Sequence, residues 1–89
     1  MGKVVASFRI LPSDIEVNLE ELRGAITNAL PSEANVHKFE EEPIAFGLVA
    51  LHAFIVMPED ISGEMDKIET TLHNVEGIGQ IDVLMVRRI

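Results

Sequence analysis

The order in which hydrophobic periodicities follow one another constrains the fold of this chain more tightly than any single motif. From Lys3 to Leu11, Val4, Ala6, Phe8 and Ile10 alternate with Val5, Ser7, Arg9 and Leu11, the period-two rhythm of a strand with one strongly apolar face. Pro12 ends it. After a loop, Leu19, Leu22, Ile26 and Ala29-Leu30 recur at helical spacing, and Pro31 closes that helix after about three turns. Asn18-Leu19-Glu20-Glu21 reads as a capping box that starts the helix, with Asn18 accepting an amide bond and Glu21 reaching back.

A second, short strand is expected from Ala34 to Glu41, with Val36, Lys38 and Glu40 on one side and His37, Phe39 and Glu41 on the other. Glu40-Glu41-Glu42-Pro43 then reads as a turn whose like charges and proline also discourage edge pairing. The run from Ile44 to Met57 is too long and apolar for an edge and is expected to be a central strand, with Gly47 marking a bulge or a close backbone approach. Pro58-Glu59-Asp60 closes it. Ile61, Met65, Ile68, Leu72 and Val75 form the stripe of a second amphipathic helix, stopped by Gly77. In a last strand from Ile78 to Ile89, Ile81, Val83 and Met85 alternate with Gln80, Asp82, Leu84 and Val86.

Strand, helix, two strands, helix, strand, joined by right-handed crossovers, gives an α+β fold: a ferredoxin-like βαββαβ sandwich, a four-stranded antiparallel sheet with two helices on one face. At 89 residues the whole span, 1–89, is expected to be a single domain. The open face of the sheet and its strand ends are where a functional surface is expected. The fold alone assigns no function.

Charge and composition narrow the choices. Fifteen acidic against seven basic residues leave a formal charge of -8, a field that repels phosphate backbones and anionic membranes, so no direct nucleic-acid or membrane partner is expected. The chain has no Cys, which removes disulfides, thiolate nucleophiles and Cys-based metal sites and fits a reducing, cytoplasmic setting. The amino-terminal residues lack a signal-peptide pattern and read as part of the domain itself. His37, His52 and His73 show no zinc-ligand spacing, and no Gly-rich phosphate loop or serine elbow is present, so neither metal, cofactor nor covalent chemistry is expected. An acylphosphatase-like activity is disfavoured because Pro12-Ser13-Asp14 puts an acid where such a loop needs positive charge.

Three features remain. Phe39 and Phe46 flank the expected turn and serve either core packing or contact with a partner. The Glu40–Glu42 run reads as a solvated turn. Arg87-Arg88 is either a solvating strand end or a basic tool for an anionic target, with Leu84 and Val86 as an apolar rim.

Along its whole length the chain also resembles the nucleotide-exchange domains of the elongation factor 1-beta family, in their short archaeal form. The resemblance is carried by Arg9-Ile10-Leu11-Pro12 with Asn18-Leu19-Glu20-Glu21-Leu22, Val36-His37-Lys38-Phe39, Pro43-Ile44-Ala45-Phe46-Gly47-Leu48 and the closing Arg87-Arg88-Ile89. It implies the same fold and a non-enzymatic guanine-nucleotide exchange factor that docks on elongation factor 1-alpha, the GTPase delivering aminoacyl-tRNA, and exchanges its GDP for GTP. It further implies that Arg88, with Arg87 and Ile89 beside it, enters the partner's magnesium and phosphate region, where an inserted cation competes with the metal for the diphosphate. The turn between the second and third strands is implied to meet the partner's switch regions through His37, Phe39, Pro43, Phe46 and Gly47, with Phe39 the better anchor.

The chain departs from the family pattern in having Arg88 where Lys is frequent, Ser13 where a Trp follows the first-strand Pro, Ala45 for Gly and Val49-Ala50 for two basic residues. Arg keeps the charge but presents a planar fork instead of a compact ammonium. No cofactor is expected, and outside its complex the chain is expected to be a monomer. The alternative from another class is a regulatory or self-associating ferredoxin-like module that binds a small molecule on its open face.

Overall fold

The computed structural model describes residues 2–58 and 64–89, and over these the expected element order holds. The elements are β1 (Lys3–Pro12), α1 (Leu19–Ala29), β2 (Asn35–Ala45), β3 (Leu48–Pro58), α2 (Glu64–His73) and β4 (Ile78–Arg88). The strands form one antiparallel sheet in the order β2-β3-β1-β4, so β3 is central as its apolar run requires. Glu59, Asp60 and Ile61, expected to close β3 and open the second helical stripe, lie outside the described residues.

The register explains which face is buried. Ala6, Phe8 and Ile10 of β1 lie opposite Ile55, Ala53 and Leu51 of β3. These six side chains, with Leu22 and Ile26 from α1 and Ile68 and Leu72 from α2, are fully or almost fully buried in one cluster. Both helices therefore cover the same face, the outcome their apolar stripes dictate. The Glu21 N–H donates to Asn18 Oδ1 at 3.0 Å, the cap expected at the start of α1. Of the α1 stripe, Ala29 is exposed instead of buried. After α2 ends at His73, Gly77 turns the chain into β4 with φ of 99°.

Three sequence expectations are corrected by the sheet. First, Glu40-Glu41-Glu42-Pro43 is not a turn: β2 runs through it to Ala45, with Glu40, Glu41 and Glu42 opposite His52, Leu51 and Ala50. Pro43 is tolerated there because β2 is an edge strand. Second, Ile44 and Ala45 belong to β2, and Gly47 lies in the hairpin loop instead of inside β3. The two-residue loop Phe46-Gly47 joins Ala45 to its partner Leu48, with φ of 56° and 82°, the pair of positive values that defines a type I′ turn.

Third, bulges break the simple alternations. Val36 faces Ile55 and Lys38 faces Phe54, so His37 is an extra residue; Val36 and Phe39 consequently share the core face, and Lys38 and Glu40 the open one. On β4, Val83 faces Phe8 and Met85 faces Ser7, so Leu84 is extra. Ile81 and Val83 lie on the helix face, but beyond the bulge it is Val86 and Arg88 that do so, opposite Ala6 and Val4. Met85 moves to the open face.

Candidate functional site

The residues singled out in the sequence separate into two groups at opposite ends of the sheet, with Phe39 between them. At the hairpin end, Phe46 occupies the first loop position and is 98% exposed. An aromatic residue with φ of 56° lies in a backbone region that disfavours a Cβ, a strain of about 1 kcal/mol. The turn therefore holds a large apolar side chain in water at a local cost. Exposed Ile44 and Ile15 are the neighbouring apolar residues of this end, and a Cβ added at Gly47 would lie 4.0 Å from the Ile15 side chain. A shallow hollow of about 160 Å³ opens between Pro12, Ile15, Val17, Gly47 and Val49. Sequence pattern does not single out Ile15 or Ile44. The first sits in a loop, and the second becomes visible only when it is recognised as the extra residue between Pro43 and Ala45.

Phe39 is not part of this tip. It is half-buried against the core, and the Arg23 guanidinium of α1 lies 5.8 Å from its ring centre while pairing with Glu41. Its surroundings are those of a packing residue, so Phe46, not Phe39, presents an aromatic ring to solvent. Pro43 is exposed on the β2 edge nearby.

The other end gathers the chain terminus. Val5 faces Arg87 and Val4 faces Arg88, and the Ile89 N–H donates to the Lys3 carbonyl at 2.9 Å. The backbone of Arg87-Arg88-Ile89 is thus fixed by the ladder to β1 and does not trail as a loose tail. All three side chains are exposed. The Arg87 guanidinium donates to Met85 Sδ at 3.6 Å on the open face, whereas Arg88 projects from the helix face.

His37, displaced by its bulge, also belongs here. With Val5, Lys38, Phe54, Val56 and Ile89 it lines an open-face groove of about 320 Å³. Lys38 Nζ lies 4.8 Å over the Phe54 ring and 3.0 Å from Glu40. Lys3, Lys38, Arg87 and Arg88, four of the seven Lys and Arg residues, therefore collect at one end of a chain whose net charge is -8. Towards the middle, Glu42 meets His52 at 2.7 Å and Arg9 meets Asp82 at 3.5 Å, so polar side chains pair with one another along the open face. Among the described residues, no group of three or more His, Asp or Glu side chains is placed to hold a metal ion, and no helix is long and apolar enough to cross a membrane.

Comparison with known proteins places the chain in a family. The EF-1 guanine nucleotide exchange domain matches residues 5–89. The chain is similar to the elongation factor 1-beta of Staphylothermus marinus, 45% identical over 89 residues and covering all of this chain and 99% of that protein. It is 46% identical to the elongation factor 1-beta of Thermofilum pendens over 88 residues, covering 99% of this chain and 97% of that protein. The protein of the same name from Methanobrevibacter smithii is 42% identical, with 100% and 99% covered. In fold alone, the chain is similar to the C-terminal domain of the MgtC protein from Mycobacterium tuberculosis, with a TM-score of 0.64, 13% identity, and 94% of this chain and 86% of that one covered. Full-length similarity to several relatives, together with the domain match, shows that this chain belongs to the family of EF-1 guanine nucleotide exchange domains.

Proposed function

We propose that this chain is a translation elongation factor that promotes exchange of GDP for GTP on elongation factor 1-alpha by direct contact, with Arg88 as the residue that disturbs the nucleotide site. Membership of the family supports the exchange role. The observation that carries the residue assignment is the ladder-fixed strand end: Arg88 opposite Val4, with Ile89 tied to Lys3, presents a cation on a rigid support. Because the ladder has already ordered the backbone, insertion has only the side chain left to order, and beside a diphosphate the cation competes with the partner's magnesium ion. Arg87 and Ile89, its chain neighbours, project from the opposite, open face as a second set of contacts, and His37 lines the groove on that face.

The hairpin tip supplies a second anchor. Phe46 is the aromatic residue offered to a partner, Gly47 allows its turn, and Pro43 stiffens the strand leading to it. Phe39 acts indirectly, by seating β2 on the core. No bond is made or broken in this chain. Weakening of nucleotide binding by the factor is matched by displacement of the factor when GTP enters, since coupling between two ligands is reciprocal.

The test is release of a fluorescent GDP analogue from elongation factor 1-alpha in excess GTP, with and without this chain. Acceleration is expected, and Arg88→Ala is expected to reduce it roughly 30-fold, the effect of losing one interface hot spot. Unchanged acceleration by that variant removes Arg88 from the mechanism; no acceleration of an active partner by the native chain removes the exchange reading itself.

A further inference from the structure

Independently of the exchange reading, we propose that the outer edge of β4 is a self-complementary pairing strand through which two copies of this chain form a two-fold dimer. The two edges of the sheet are built differently. The β2 edge carries Pro43 and the Glu40–Glu42 run, a missing donor and packed like charges that obstruct strand addition. The β4 edge has no proline and exposes Val83, Leu84 and Val86, at 42%, 48% and 51%, beside its outward-facing backbone groups. An edge strand of this kind is a template for another strand.

The Leu84 bulge selects the register and the occupant. Consider a second copy of β4 running antiparallel about an axis between Leu84 and Met85. Asp82 then falls opposite Arg87 of the second copy, and Val83 opposite Val86. In a regular strand, residues an odd number of positions apart point to opposite faces, and this register would fail. Here the extra residue reverses the alternation. Asp82 lies opposite Arg9 and Arg87 opposite Val5, both on the open face; Val83 and Val86 lie opposite Phe8 and Ala6, both on the helix face.

Both of these pairs therefore match in face, and the dyad repeats each one. Two Asp82–Arg87 ion pairs form on one side of the joined sheet and two Val83–Val86 contacts on the other. The guanidinium of Arg87 now spends its hydrogen bond on the weak acceptor Met85 Sδ at 3.6 Å, and a carboxylate is the stronger partner. The interface is isologous and closed, because the obstructed β2 edges leave no second strand to extend the sheet. Opposing it is the -8 charge on each copy, a long-range repulsion that physiological salt screens within about 8 Å.

Sedimentation equilibrium in physiological salt, over roughly 10 µM to 1 mM protein, is expected to show a monomer–dimer equilibrium. Arg87→Asp should weaken it ~10-fold by setting like charges across the dyad, and Arg87→Lys, which keeps the charge, should hold it to within ~3-fold. Because the chain has no Cys, the register is tested separately. An oxidised mixture of Val83→Cys and Val86→Cys chains should yield a disulfide-linked heterodimer, while each alone should not, its like positions lying too far apart across the dyad. A monomer throughout the concentration range, association indifferent to Arg87→Asp, or no cross-linking preference for the mixture each overturns the proposal.

Discussion

Phe46 and Arg88 stand at opposite ends of one sheet: Phe46 lies in the loop next to Leu48, whereas Arg88 is level, through Val4, with Met57. Nine steps along β3 separate those levels, roughly 30 Å at strand rise. Two contacts that far apart on a rigid sheet engage different regions of a partner. Residues so widely separated act independently, so the losses caused by Phe46→Ala and Arg88→Ala in exchange efficiency should add to within ~0.5 kcal/mol in the double variant. Stopped-flow GDP release for the four proteins measures this, and strong coupling would show that both act on one spot.

At Phe46 stability and function should pull in opposite directions. A type I′ loop favours Asn-Gly, and Asn tolerates the positive φ that strains Phe46. Phe46→Asn is expected to raise the stability of the free chain by ~1 kcal/mol, seen as a higher urea midpoint with an unchanged slope, while weakening exchange. An equal or lower midpoint would mean that the turn is not strained by the aromatic residue.

Two glycines should respond to alanine with opposite signs. A Cβ at Gly79 would lie 3.0 Å from both the Pro12 carbonyl oxygen and Ser13 Cα, backbone atoms that cannot swing aside. Gly79 is the extra residue where Leu11 pairs with Gln80 and Pro12 with Ile78, so Gly79→Ala should cost ~1–3 kcal/mol. Gly24, on the exposed side of α1 with nothing within 4 Å, should gain ~0.5–1 kcal/mol on the same change. Thermal melts would show a lowered midpoint for the first variant and a raised one for the second.

The same residues explain what was legible in the sequence. Periods of two and near four identified every element, because Phe8, Ile10, Ile26, Ile55, Ile68 and Leu72 meet in one core and each element must turn a face to it. The β2–β3 turn was misplaced for a physical reason. Glu40-Glu41-Glu42-Pro43 has turn composition, yet an edge strand tolerates both the proline and the charges, and Phe-Gly is a weak turn signal beside Asn-Gly. The extra residues His37, Ile44 and Leu84 have no signature in hydrophobicity, since a bulge is set by pairing with a distant strand. Placing the turn at Glu40–Pro43 makes Phe39 a tip residue and draws His37 to the same end, whereas the observed turn at Phe46-Gly47 leaves Phe39 within β2 and His37 beside Ile89.

The contact between Glu33 and Lys67 should be readable as a pH effect. Glu33, just before β2, accepts from Lys67 of α2 at 3.0 Å, and this hydrogen bond, ahead of backbone and Ser32 contributions, holds its carboxyl below the ordinary value of 4.5. A carboxylate with a depressed folded-state pKa contributes stability that is present above the unfolded value and lost as pH falls through the folded one. Lys67→Met should therefore move the Glu33 titration, followed by carboxyl NMR, up towards 4.5. Its unfolding free energy should also fall less steeply than that of the native chain as the solution is acidified below 4.5. A Glu33 titration unmoved by the substitution would show that the α2 contact does not persist in solution, and the depression would then have to come from the loop backbone and Ser32.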